Sequence, residues 1–145
     1  MLNFCRKRRL LSGLLVGLLF FLLTYLAYGH YLGQMTEEVM LSAFAERGYV
    51  ENNKYSNMIS DENYNYMVIS GRFDEPQTPL YITQKRPFVV HWFCGAYVGI
   101  KFNFSYGEGK TMASYEDITM NFILKLQNGQ WYITNVEEGP RGGGG

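Results

Sequence analysis

Disulfide chemistry is all but absent from this sequence. Its two cysteines, Cys5 and Cys94, stand on either side of a long uncharged run. A framework of bridges is excluded, and if that run crosses a membrane the two thiols cannot meet. Cys94 is then expected to behave as a small buried hydrophobe. Histidine is equally scarce, with only His30 and His91. His91 and Cys94 form an H-x-x-C spacing, but a structural zinc takes four ligands. Positions 91 and 94 of a strand also face opposite ways. No metal, no cofactor and no catalytic group is expected.

Net charge is absent as well, and its distribution is more telling than its sum. Nothing between Arg9 and Glu37 is charged. Four of the 13 basic residues, Arg6, Lys7, Arg8 and Arg9, precede that gap, which leaves nine against 13 acidic residues beyond it, a formal −4. A mildly acidic domain has no electrostatic footprint for nucleic acid.

The gap holds Leu10–Tyr28, nineteen residues of which twelve are Leu, Phe or Val. At 1.5 Å per residue such a helix is about 28 Å long, matching a hydrocarbon core of about 30 Å. Residues 10–28 are therefore read as a transmembrane helix, with 1–9 as a basic cytoplasmic tail, since flanking Lys and Arg stay inside. The remainder crosses the cell membrane, and Tyr25, Tyr28 and Tyr31 fall where an aromatic belt belongs. One rival reading remains. Ala27-Tyr28-Gly29 is a small-x-small triplet, at which a signal peptidase would release a soluble domain starting at His30; apolar signal cores, however, usually run about 7–15 residues. Gly13 and Gly17 form GxxxG, a spacing that lets two spans approach closely and form a homodimer.

Beyond the span, Thr36 is expected to cap an amphipathic helix over 36–47, with Glu37 and Glu38 in its first turn, Val39, Met40, Ala43 and Phe44 on one face, and Gly48 at its end. The two helices are either continuous or joined by a kink at Gly33. Residues 51–63 read as a polar loop. Strands follow at 64–73, at Leu80–Ile82 and at 88–93, the last apolar throughout and so expected to be central. Val98, Ile100, Phe102, Phe104 and Tyr106 alternate with polar or small residues, as in a strand with one wet face. Asn128-Gly129 is a hairpin signal that sets Leu126 opposite Trp131 and Leu124 opposite Ile133. Residues 139–145 are a flexible glycine-rich tail. The fold class is α+β, with a transmembrane helix, then one amphipathic helix packed on a curved antiparallel sheet of five or six strands spanning 36–138.

This order resembles cystatin-like and nuclear-transport-factor-like α+β folds, which implies a helix lying in a bent sheet. The tail, the span, the helix ending Glu46-Arg47-Gly48-Tyr49 and the strand ending Phe73-Asp74-Glu75-Pro76 resemble small single-pass membrane-anchored proteins of Gram-positive bacteria with no assigned activity. Scaffold proteins of type IV secretion share the same plan. The resemblance implies a location and not a mechanism; the functional reading is a non-catalytic interaction module, a subunit of an envelope or secretion-type complex, and not an enzyme. The alternative is a small-ligand or lipid-binding domain with a pocket between helix and bent sheet. Acidic pairs such as Asp61-Glu62 and Glu116-Asp117 fall at strand ends and turns, where carboxylates are usually solvated. Asn103-Phe104-Ser105 matches a glycosylation acceptor. Among the aromatic residues, Tyr64, Tyr66, Tyr97, Tyr115 and Tyr132 are the candidates for an exposed partner surface.

The hairpin register yields a test. Trp131→Ala removes a core side chain and should cost about 3–5 kcal/mol in denaturant titration. Tyr132→Ala, on the other face, should cost far less. The reverse order would mean the register is off by one.

Overall fold

The computed structural model describes residues 2–68, 80–106 and 113–139, and over these the chain is α+β. A helix α1 (Leu2–Ala45) is followed by a short helix α2 (Asp61–Met67) and five strands: β1 (Leu80–Gln84), β2 (Phe88–Trp92), β3 (Gly95–Tyr106), β4 (Ala113–Gln127) and β5 (Gln130–Glu138). All pairings are antiparallel. The sheet runs β1-β3-β4-β5, with β2 beside β3. Because β4 lines the opposite side of β3 from Gly95 to Tyr106, β1 and β2 follow one another along a single edge.

Of the two arrangements open to the first helix, the continuous one is found: α1 passes through Gly29 and Gly33 without a break. Thr36 therefore does not cap. It sits buried inside the helix, its hydroxyl donating to the Leu32 carbonyl at 2.8 Å. This bond satisfies the hydroxyl within its own helix. From Ser12 onward α1 is long and apolar enough to cross a membrane, and Leu14 to Leu26 are largely exposed. Its C-terminal half joins the buried cluster. Leu32, Val39, Met40, Ala43 and Phe44 are buried together with Val98, Ile100, Phe122, Leu124 and Ile133, and the rings of Phe44 and Phe102 lie 4.9 Å apart. Each buried Val, Leu, Ile, Phe or Met side chain contributes roughly 1.5–3 kcal/mol.

The strand expected at 64–73 is overturned over its described part. Residues 61–67 are helical because Ser60 caps the turn, accepting from the Asn63 N–H at 3.3 Å, and Asp61 and Glu62 complement the helix dipole. Residues 69–73 lie outside the described residues. The preceding polar stretch is held by hydrogen bonds to the helix. Asp61 accepts from the Asn52 N–H (3.1 Å), the Asn53 N–H (3.0 Å) and Asn53 Nδ2 (2.6 Å). Asn65 exchanges two bonds with the Val50 backbone, at 2.7 and 2.8 Å. Ile59 then bridges to Ile133, whose N–H donates to the Met58 carbonyl at 2.7 Å. The loop thus covers the outer edge of β5 around Ile133.

The hairpin has the expected register, Leu126 opposite Trp131 and Leu124 opposite Ile133. Two irregularities tune the sheet. Asp117, at φ 53°, occupies a bulge opposite Asn103, whose Oδ1 accepts the Asp117 N–H at 2.8 Å. A second bulge pairs Ile123 with Asn135 and Leu124 with Ile133; it shifts the alternation of β5 so that both Ile133 and Val136 are buried. At the C-terminal end, the Gly139 N–H still donates to the Thr119 carbonyl at 2.7 Å.

The three donors on Asp61 hold its carboxyl below the ordinary value of 3.8, the Asn53 backbone N–H foremost. A carboxyl with a depressed folded pKa stabilises the fold above the unfolded value and loses that effect as pH falls through the folded one. Unfolding midpoints should therefore decline below pH 3.8. Asp61→Asn should lower the midpoint at neutral pH and flatten that acid-side decline, as read by urea titration at several pH values.

Candidate functional site

Strand β2 was expected to be central and is instead an edge strand. Its continuous apolar character has a different cause: one face is covered by α1 and the other forms part of an exposed stripe. β2 runs down α1 from Gly33 toward the apolar half. Two strand residues advance about 6.6 Å and four helical residues about 6.0 Å, so alternate residues of β2 keep step with the i, i+4 ridge of the helix. A methyl group on Gly33 would lie 3.1 Å from Pro87 Cβ and 3.2 Å from Val89 Cγ2. One on Gly29 would lie 3.4 Å from His91 Cδ2. The two glycines are packing surfaces, which is why Gly33 makes no kink.

Below them the seam becomes aromatic. The His91 ring stacks on Tyr25 with centroids 4.0 Å apart and planes 19° from parallel. His91 Nε2 lies 2.9 Å from the Tyr25 carbonyl oxygen. A carbonyl only accepts, so this bond requires the proton on Nε2. The His91 backbone N–H donates to Tyr25 Oη at 3.3 Å. Trp131 completes the cluster from β5, its Nε1–H donating to Tyr28 Oη at 2.6 Å. His91 is thus engaged with the helix while Cys94 lies exposed in the turn after β2. Cys94 is not the buried hydrophobe expected, because the turn carries it past the edge of the core. Among the described residues no group of three or more His, Cys, Asp or Glu is placed to hold a metal.

Two grooves flank the seam. One, about 400 Å³, is bounded by Phe21, Tyr28, Phe93 and Trp131. The other, about 550 Å³, lies on the opposite flank beside Gly29 and Gly33 and carries His30, Glu37 and Arg86.

The opposite face of the sheet is the stronger candidate for recognition. Register places Val90, Tyr97 and Ile123 in one row across β2, β3 and β4. Trp92, Gly95, Lys125 and Tyr132 form the next row, and Phe88, Gly99 and Asn121 the row on the other side. Phe88 is 63% exposed and Trp92 53%, with Val90 and Ile123 also on the surface. The Trp92 indole lies over Gly95, where a Cβ would come within 2.7 Å of the ring. Only glycine allows that placement.

Of the tyrosines expected on a partner surface, Tyr97 and Tyr132 share this face, both half-buried, and Tyr97 Oη donates to Asn121 Oδ1 at 2.6 Å. Tyr64 does not belong: it is fully buried on α2, its hydroxyl 3.0 Å from Ser42 Oγ and 3.4 Å from Glu46 Oε1, and burial pushes its pKa up. Its place on a helix rather than a strand turned it inward. Tyr66 is exposed but sits by β5, its hydroxyl accepting from the Glu138 N–H at 3.4 Å. The Tyr115 side chain lies outside the described residues. Gly13 and Gly17 are on the exposed half of α1, with nothing within 4 Å of an added Cβ. Phe88, Val90 and Trp92 were missed by sequence reasoning because an all-apolar strand reads as central; Ile123 stands on β4, on the face opposite the apolar row of Phe122 and Leu124. The signal available was the spacing of Gly29 and Gly33, which marks a face where another element packs closely.

Gly33→Leu should force β2 off the helix and destabilise the detergent-solubilised chain by about 1–3 kcal/mol, as overpacking does. Gly17→Leu, in open space, should leave the melting temperature unchanged. Equal effects of the two would remove the seam from the account. No protein-family model, curated protein or solved structure matches this chain.

Proposed function

We propose that the chain is a non-catalytic, membrane-anchored interaction module, with α1 crossing the cell membrane once, its N-terminus cytoplasmic and residues 36–138 outside, and with the outer face of β2, β3 and β4 as its partner surface. The partner is another envelope protein, and the chain is a subunit of an envelope or secretion-type complex. The observation that carries this reading is the exposed stripe of Phe88, Val90, Trp92 and Ile123, with half-buried Tyr97 and Tyr132 among them, on a sheet whose other face is filled. An apolar surface rimmed by polar residues marks a site of protein association.

The alternative, a ligand pocket between helix and bent sheet, is disfavoured by the filling there. Val39, Met40, Ala43, Val98, Ile100 and Phe122 are inaccessible to solvent. The cystatin-like reading of the sheet belongs to the same proposal and adds no activity to it. Retention of the span, rather than cleavage near Gly29, is supported by the burial of Gly29 against β2 in the middle of an unbroken helix. Gly13 and Gly17 continue the same i, i+4 ridge downward and offer a second helix a close approach in lipid, giving a homodimer through the span.

The chain should stay with membranes through carbonate extraction, and protease added to spheroplasts should digest the part beyond residue 30. A photo-crosslinking residue at Ile123 in the native membrane should trap one defined protein, whereas the same residue at Tyr66 should not. Val90→Asp should abolish the Ile123 product while leaving the fold intact by circular dichroism. An unchanged product with Val90→Asp removes the partner surface from this face; a soluble fragment starting at His30 removes the anchor.

A further inference from the structure

We propose that the turn between β2 and β3, Phe93 and Cys94, is seated in the outer leaflet of the same bilayer that α1 crosses, with Trp92 and Trp131 at the headgroup level. This rests on the anchor reading and adds a second, non-helical point of contact with lipid.

The argument begins with level. β2 keeps step with α1, pairing Val89 with Gly29 and Gly33, and His91 with Tyr25. The next step brings Phe93 to the level of Phe21, and the two line one groove of about 400 Å³ together with Tyr28 and Trp131. Phe21 is about one helical turn, roughly 6 Å, on the cytoplasmic side of Tyr25. Each interfacial zone of a bilayer is about 5–8 Å deep. Whatever covers Phe20, Phe21 and Leu23 on the exposed surface of α1 also reaches Phe93, which is 96% exposed.

Chemistry agrees with level. Polar groups near lipid are favoured when paired within the protein, the remainder being met by headgroups and interfacial water. The Cys94 carbonyl accepts from the Leu126 N–H at 3.0 Å, and the Trp131 and Tyr28 polar atoms bond each other at 2.6 Å. Leu126, exposed in the adjoining strand, adds a second apolar side chain at this end. Lys125, exposed in the row with Trp92 and Tyr132, supplies a cation for lipid phosphate. Trp, Tyr and Lys are the residues that occupy membrane–water interfaces. A soluble protein partner would need to cover Phe93 and pass through the headgroups to do so; a lipid leaflet already occupies that place.

The test uses the full chain with Cys5→Ser, so that the exposed Cys94 is the one thiol available to a nitroxide label. The protein is reconstituted in phosphatidylcholine–phosphatidylglycerol vesicles, and collision rates with oxygen and with a water-soluble nickel chelate are measured by power saturation. The expected result is an oxygen-to-nickel ratio at Cys94 several-fold above that of a label at Asn57→Cys in a chain with both native cysteines replaced by serine. Phe93→Ser should shift the Cys94 label toward the aqueous ratio without releasing the chain from the vesicles. A label at Leu15→Cys, again without native cysteines, reports the anchor separately. An aqueous ratio at Cys94 with a lipid ratio at Leu15 overturns this inference alone, whereas aqueous ratios at both overturn the anchor reading with it. Dipolar broadening between Cys94 labels that survives Gly17→Leu, and is relieved by dilution with unlabelled chain, would show that a second copy covers the turn and would likewise overturn it.

Discussion

The structure depends on a steric allowance, the missing side chains at Gly29 and Gly33. There Pro87, just before β2, and Val89 and His91 of β2 lie within van der Waals distance of where a Cβ would be. Everything downstream inherits that contact. β2 is held by the helix on one face and by β3 along its edge, and β3 in turn carries β1 and β4. The sheet is oriented relative to α1 by β2, a strand of five residues, and by the packing of Phe44 on Phe102 of β3. Its aromatic end, where His91, Tyr25, Tyr28 and Trp131 close around one another, extends the contact toward the apolar half of the helix.

The far side of the molecule is secured by polar means. Between the end of α1 and β5 the chain uses asparagine amides in place of backbone partners: Asn53 and Asn65 each satisfy several groups that would otherwise be orphaned, and Asp61 collects three donors. Burying Asn53 is tolerable only because its amide is paired on both sides. This covering also shortens the open edge of β5 around Ile133, where an unpaired strand would invite association with other chains.

Local features were legible in the sequence and long-range ones were not. Asn128-Gly129 specifies its own turn, so the β4–β5 register follows from a few adjacent residues. The alternation of Val98, Ile100, Phe102 and Phe104 records a sheet with one wet face. Tyr64, Tyr66 and Val68 alternate just as cleanly, yet the Ser60 cap and the Asn65–Val50 pair hold Tyr64 and Tyr66 in a helix. Alternation over three aromatic and aliphatic residues is too short to outweigh a cap. The edge position of β2 was hidden for another reason. Its second apolar face is covered by residues some sixty positions earlier, and periodicity carries no information about what lies opposite. The recognition surface was half legible: Tyr97 and Tyr132 were in view, while Phe88, Val90 and Trp92 depended on knowing that β2 is an edge.

An unbroken helix from Leu2 to Ala45 leaves no swivel between its apolar half and the half that enters the core. On an anchored chain, the tilt of the span becomes the tilt of the sheet. Since β2 lies alongside α1, the stripe on its outer face looks sideways along the plane of the bilayer rather than away from it. A partner that meets this stripe arrives laterally, at a fixed height, and the encounter is a search in two dimensions. Such geometry selects neighbours that are themselves confined to the same membrane and discriminates against anything diffusing freely above it.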